Sequence, residues 1–211
     1  MITRLSLSVV LLSGSFIPAH ATAVDPANFS ETVYVSDANI GSTTGIDWAP
    51  DGSGRLFVIR KGGFSGIQNA EVRIVQNGSV LPTPFATESA YTSSECGLIG
   101  MCFDPDFVNN HYVYFFVTVS ASEQRIVRYT DSGNVGINRT EIMKNLPTLG
   151  ANHDGGAVGL GNDGKLYWAI GDNGSGIGVN ADLTSLASKI GRASRIGTVP
   201  SDNPFVDGGG P

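Results

Sequence analysis

Gly97-Leu98-Ile99-Gly100-Met101-Cys102-Phe103-Asp104-Pro105-Asp106, followed after a short gap by Tyr112-Val113-Tyr114-Phe115-Phe116-Val117, is the stretch on which the fold turns. Two apolar runs of strand length flank an Asp/Pro turn, and the second run is built from aromatic and β-branched residues. The same unit occurs on either side. Upstream, Gly45-Ile46-Asp47-Trp48-Ala49-Pro50-Asp51-Gly52 leads into Arg55-Leu56-Phe57-Val58-Ile59. Downstream, Gly156-Ala157-Val158-Gly159-Leu160-Gly161-Asn162-Asp163-Gly164 leads into Leu166-Tyr167-Trp168-Ala169-Ile170. Further strand candidates lie between the copies, at residues 70–75, 126–129 and 141–144. A spacing of about 55 residues leaves room for a four-stranded sheet per copy, and repeats of such units stack radially or linearly.

These readings predict an all-β fold, with a β-propeller of four-stranded antiparallel blades as the natural closure. About 190 residues after a leader make about three blades, an incomplete ring, short of the roughly four to eight with which propellers close. The chain is therefore expected to be the N-terminal part of a longer protein, a compact four-bladed ring being the alternative. Residues 24–42 are expected to enter as a strand centred on Thr32-Val33-Tyr34-Val35, and residues 181–190 are the modest helix candidate. Trp48, Trp168 and Phe103 are expected in the core between blades.

Residues 1–23 read as a signal peptide, with Arg4 as the positive start, a short apolar run and Ala21-Thr22-Ala23 as small residues at a cleavage site. Residues 24–211 are then the folded domain, secreted or periplasmic, with no membrane span in the mature chain. The 211 residues carry a formal net charge of -6 and no cluster of Lys and Arg, which argues against nucleic acid and anionic membrane surfaces. Cys96 and Cys102 would lie roughly 20 Å apart along an extended strand, beyond disulfide reach, and no Cys/His spacing suggests a zinc site. The aspartates of the repeat loops, together with Asp172, read most simply as turn formers.

The loop Asn152-His153-Asp154-Gly155-Gly156 is the candidate chemical centre. Its two glycines allow positive φ and close approach, and an imidazole exchanges a proton near neutral pH without a large environmental shift. The alternative is a histidine that only pins the loop through hydrogen bonds.

The series Glu95-Cys96-Gly97-Leu98-Ile99-Gly100-Met101-Cys102-Phe103-Asp104-Pro105-Asp106-Phe107, then Asn152-His153-Asp154-Gly155-Gly156, then Asn162-Asp163-Gly164-Lys165-Leu166-Tyr167 and Gly171-Asp172, resembles the soluble quinoprotein glucose/sorbosone dehydrogenase family. Lys189-Ile190-Gly191-Arg192 and Pro200-Ser201-Asp202-Asn203-Pro204-Phe205 resemble that family's closing runs. The resemblance implies a six-bladed propeller holding pyrroloquinoline quinone (PQQ) beside calcium, with a sugar substrate and an external electron acceptor. It implies His153 as general base on the anomeric hydroxyl while hydride passes to the quinone. Asn152 and Glu95 are implied on the cofactor side, Asn152 orienting the imidazole and Glu95 at the cavity floor.

Departures accompany the likeness. The family's cationic partners for the quinone, and its calcium ligands, fall mostly beyond this chain, which alone is expected to be inactive. Gly191 and Ala193 stand where the family prefers bulky apolar residues, and Ile196 where it prefers Asp, changes expected to weaken a core strand. The alternative function is a non-catalytic exported propeller that keeps the scaffold as a binding module.

Overall fold

Turn chemistry sets where the strands end. Asp51 accepts a bond from the Ser53 N–H at 2.9 Å, Asp104 from Asp106 at 2.9 Å and Asp163 from Lys165 at 3.0 Å, so each repeat reverses at the carboxylate in its loop. The structure, a computed structural model, describes residues 32–174 and 179–204. All described strands lie in the unit that begins at Val35. The expected signal peptide lies outside the described residues.

The first sheet contains β1 (Thr43–Trp48), β2 (Arg55–Arg60), β3 (Ile67–Gln76), β4 (Ser79–Val80) and β5 (Ala86–Tyr91). All its pairings are antiparallel in the order β1-β2-β3-β4, and β3 is long enough to pair with β5 through a separate part of its length. The second sheet is a meander of β6 (Leu98–Phe103), β7 (Tyr112–Ser120), β8 (Glu123–Ser132) and β9 (Val135–Pro147). The third holds β10 (Val158–Leu160), β11 (Leu166–Ile170) and β12 (Lys189–Ala193). Each repeat of the sequence is thus one hairpin, β1–β2, β6–β7 or β10–β11.

Strand β7 shows why its sequence is apolar without interruption. Successive side chains of a strand point to opposite faces, and both faces of this one are covered. Val113, Phe115 and Val117 enter a core shared with the first sheet, among Phe57, Phe85, Phe103 and Phe107. Tyr114 and Phe116 enter a second core with Ile126, Leu146, Leu166 and Trp168. Rings meet edge to face, Phe57 lying 5.0 Å from both Phe85 and Phe103 between centroids. Burying one such ring contributes about 1.5–3 kcal/mol, so the second sheet is fixed from both sides.

The expected β-propeller, about three blades of an incomplete ring, is not the arrangement found. The architecture is all-β, but its three antiparallel sheets have five, four and three strands and none is closed or curled into a ring. Repeated hairpins determine local pairing; they do not determine how successive sheets are placed. The two main cores join first to second and second to third sheet, while Ile190 on the edge strand β12 is 77% exposed.

Other expectations also change. Residues 32–42 contain no strand, only a single 3-10 turn at Ala38–Ile40 capped by Asp37. The helix expected over 181–190 is absent: a 3-10 turn at Val179–Ala181 is followed by turns, with Asp182 accepting from the Thr184 N–H, and β12 begins at Lys189. Trp168 and Phe103 are buried as expected, but Trp48 is 49% exposed. Gly191 does not leave a hole, because Trp168 fills the space: a Cβ at that position would lie 2.2 Å from the indole ring. Ala193 is fully buried in the second core, and Ile196 is exposed.

Candidate functional site

The loop joining β9 to β10 is fastened to both the second and the third sheet. On the third-sheet side, the Gly156 N–H donates to the Ala169 carbonyl at 3.1 Å, the Ala169 N–H donates to Ala157 at 3.0 Å, and the Asn173 N–H reaches the His153 carbonyl at 3.3 Å. On the other side lies the segment leading into β6. Its Glu95 N–H donates to the Ala151 carbonyl at 3.1 Å, and the Glu95 carboxylate accepts the His153 N–H at 2.6 Å. The Ser94 hydroxyl donates to the Asn152 amide oxygen.

Close approach explains two glycines. A Cβ on Gly155, whose φ is 82°, would lie 2.4 Å from the Ala169 carbonyl oxygen. A Cβ on Gly171 would lie 1.9 Å from the His153 carbonyl oxygen. His153 itself adopts φ 58°, a left-handed conformation that costs a non-glycine residue about 1–2 kcal/mol. The surrounding bonds hold it there.

That conformation presents the imidazole to solvent, its side chain 59% exposed, with Nδ1 2.6 Å from an Asp172 carboxylate oxygen. An ionised carboxylate only accepts hydrogen bonds, so Nδ1 carries the proton and Nε2 keeps its lone pair. The bond from Asp172 raises the His153 pKa above its ordinary value, followed by the Asp172 charge, with smaller contributions from Glu95 and Asp154. Asp172 is held below the usual carboxylate range, first by the Gly174 N–H at 2.9 Å and then by His153. Asp172 thus fixes the Nδ1 side of the ring, and no hydrogen bond to Nε2 occurs among the described residues.

Behind it, Asp154 is buried. One of its oxygens accepts from the Thr148 hydroxyl and, at 2.8 Å, from the Gln124 amide; the other accepts from the Cys96 thiol at 3.0 Å. Burial, then the neighbouring Asp154, pushes the Cys96 thiol up to about 12. Both cysteines are free thiols.

The structure therefore gathers His153, Glu95 and Asn152 on one exposed patch. Asp172, rather than Asn152, holds the imidazole, while Asn152 bonds to Ser94. Asp172 also forms the turn read from sequence, through Gly174. Nothing in the sequence signalled its second role, which arises because the chain just past β11 returns beside the histidine loop.

Comparison with known proteins supplies the context. Residues 41–211 match the family model described as Glucose / Sorbosone dehydrogenase. Quinoprotein glucose dehydrogenase B of Acinetobacter calcoaceticus is 25% identical over 220 residues, covering 90% of this chain and 44% of that protein. The structure of the PQQ-bound form of aldose sugar dehydrogenase from Streptomyces coelicolor is similar at a TM-score of 0.64 and 30% identity, over 78% of this chain and 48% of that one. The human Hedgehog-interacting protein is 27% identical over 135 residues, 58% of this chain and 19% of its own length. The chain spans about half the length of the curated relatives it matches.

The donor set around His153 decides how far a quinone and calcium fit. Glu95, Asp154 and Asp172 surround the histidine, and Lys61, the cation coupled to Asp154, is buried with its ammonium donating to the Gly63 and Thr92 carbonyls. Three carboxylates repel a tricarboxylate such as PQQ. No group of three or more His, Cys, Asp or Glu suited to a metal occurs among the described residues. These residues by themselves fit neither PQQ nor calcium; they fit a proton acceptor beside a neutral, hydroxyl-rich molecule. No described helix is long and apolar enough to cross a membrane.

Proposed function

The chain belongs to the Glucose / Sorbosone dehydrogenase family, and from that premise we propose that it supplies the proton-accepting side of an oxidoreductase site acting on the CH–OH group of aldose sugars. His153 is the base. The observation that carries this is the 2.6 Å contact between Nδ1 and Asp172 on an imidazole whose side chain is 59% exposed, with Nε2 in no hydrogen bond among the described residues. A hydroxyl bonded to Nε2 gives up its proton there as the carbon is oxidised, and Asp172 stabilises the imidazolium that results. Glu95 and Asn152, implied on the cofactor side by the resemblance, border the same patch, and since the Glu95 carboxylate repels an anionic quinone, both are proposed to contact the sugar instead.

Oxidising the carbon needs an electron acceptor that no side chain provides. The aldose sugar dehydrogenase of Streptomyces coelicolor has been solved in a PQQ-bound form, and PQQ with calcium is the acceptor system proposed for the whole protein. Its cationic partners would come from outside the described residues. Export is proposed as well, with a mature start near Val24, which N-terminal sequencing of the processed protein checks.

The test is aldose-dependent dye reduction by the whole protein supplied with PQQ and calcium, compared with His153→Ala in that same protein. The reading expects a loss of about 100-fold or more in kcat, the scale of general-base catalysis. Equal rates in the two proteins would remove His153 from the chemistry. A second reading, a non-catalytic all-β binding module, is favoured by the likeness to the Hedgehog-interacting protein and by the poor fit to an anionic cofactor. Absence of any PQQ binding by calorimetry would support it.

A further inference from the structure

Asp154 is a buried carboxylate next to the proposed base, and the proton transfer does not use it. It receives a hydroxyl, an amide and a thiol as hydrogen-bond donors from three separate segments: Thr148 after β9, Gln124 on β8 and Cys96 ahead of β6. Gln124 commits its amide nitrogen to Asp154 twice, to the carboxylate at 2.8 Å and to the main-chain carbonyl at 3.3 Å. Its own buried Oε1 has no hydrogen-bond partner among the described residues. A buried acceptor left unpaired in a native protein calls for an explanation, and such costs concentrate at functional sites.

A second observation points the same way. His153 and Asn173, joined by the bond from the Asn173 N–H to the His153 carbonyl, both adopt left-handed backbone, at φ 58° and 57°. The two strained residues bracket the His153–Asp172 contact, one at the imidazole and one just past the carboxylate. Strain of this kind persists only where neighbouring bonds over-determine the geometry. Asp154, directly after His153, is the fastening point that ties this geometry to the second sheet.

We propose that Asp154 is a positioning residue, which through Thr148, Gln124 and Cys96 fixes the backbone at His153 so that the imidazole stays against Asp172. The proposal rests on the reading of His153 as base and deepens it. Asp154 is buried, and its carboxylate bonds Thr148, Gln124 and Cys96 rather than the imidazole ring. It acts through shape, as a rigid acceptor for three donors, and its charge is secondary.

The test compares Asp154→Ala with Asp154→Asn. Asparagine retains an oxygen for Thr148 and Gln124 but removes the charge; alanine removes every side-chain bond and leaves only the Gln124 bond to the main-chain carbonyl. The first readout is the imidazole titration of His153 followed by NMR in the 211-residue protein, assigned with His153→Asn. The groups acting on that imidazole are Asp172, Glu95 and Asp154. With Asp154→Ala the midpoint should fall toward that of an unpaired histidine, and with Asp154→Asn it should stay near the parent value. Addition of Asp172→Asn to Asp154→Ala should lower it no further than Asp172→Asn alone. The second readout is the kinetic split in the whole protein: kcat about tenfold lower in Asp154→Ala with KM within about twofold, and recovery in Asp154→Asn.

A folded Asp154→Ala protein whose His153 titrates like the parent overturns the proposal. Equal losses in Asp154→Asn and Asp154→Ala also overturn it, because the effect would then be one of charge. Should Asp154→Ala fail to fold, Gln124→Leu removes two of the fastening bonds and must show the same downward movement; an unchanged titration there overturns the proposal as well. Full kcat in His153→Ala would overturn the base reading instead, while the titrations still decide whether Asp154 positions the loop.

Discussion

Gly171→Ala adds one methyl group and no charge, yet it should disable the His153–Asp172 pair. The new Cβ would lie 1.9 Å from the His153 carbonyl oxygen and 2.7 Å from its carbonyl carbon. A carbon and an oxygen ordinarily approach no closer than about 3.3 Å, so the two segments must separate by about 1.4 Å. The residue that has to move is the proposed base, and the next residue after Gly171 is its carboxylate partner. Overpacking of this kind costs about 1–3 kcal/mol. At about 2–4 °C per kcal/mol for a domain of this size, Tm should fall by about 2–12 °C. Displacement of a catalytic group by about 1 Å can cost about 100-fold in rate. Thermal unfolding followed by circular dichroism, and aldose-dependent dye reduction by the whole protein, measure the two effects. Gly159→Ala, where a Cβ meets nothing within 4 Å, is the control and should change little. A Gly171→Ala protein with parental Tm and a rate within twofold of the parent would refute the packing reasoning and, with it, the fixed pair.

Other perturbations test the frame and the electrostatics. Phe57→Ala removes a fully buried ring from between the first and second sheets and should cost about 3–5 kcal/mol in urea unfolding; a cost below about 1 kcal/mol would deny that this core joins the sheets. Arg55 bridges from β2 to Asp131 on β8 at 2.5 Å, both residues buried. Arg55→Ala leaves that carboxylate uncompensated and should destabilise by about 3–5 kcal/mol, read by the same assay, whereas a near-neutral change would contradict the bridge. Because the base must be neutral, kcat/KM should fall as pH drops through the raised pKa of His153. Asp172→Asn removes the main cause of that rise, so the acid limb should move to lower pH; an unmoved limb would count against the pairing.

The hairpins were legible in the sequence because each carries its own evidence: a turn aspartate, flanking apolar runs and, in β7, five consecutive residues buried on alternating faces. Higher-order placement had no comparable signal. The repeat of hairpins suggested a ring, whereas the sheets differ in strand number and remain open. Residues 181–190 had a helical composition, but Asp182 closes a turn and Ile190 belongs to an edge strand, where packing against β11 overrides local preference. The histidine loop could be found from its glycines and its imidazole. The partner of that imidazole could not, since Asp172 lies 19 positions away and is brought back only by the register of the third sheet. Gly191 was illegible for the same reason: its lack of a side chain matters only because Trp168 lies across the strand from it.

The most direct measurement is the tautomer of His153, read from nitrogen chemical shifts of the labelled imidazole at a pH above its raised pKa. The account predicts a protonated Nδ1 bonded to Asp172 and an unprotonated Nε2 facing solvent. A proton on Nε2, with Nδ1 bare, would contradict it, because the outward nitrogen would then have no lone pair with which to accept the hydroxyl proton.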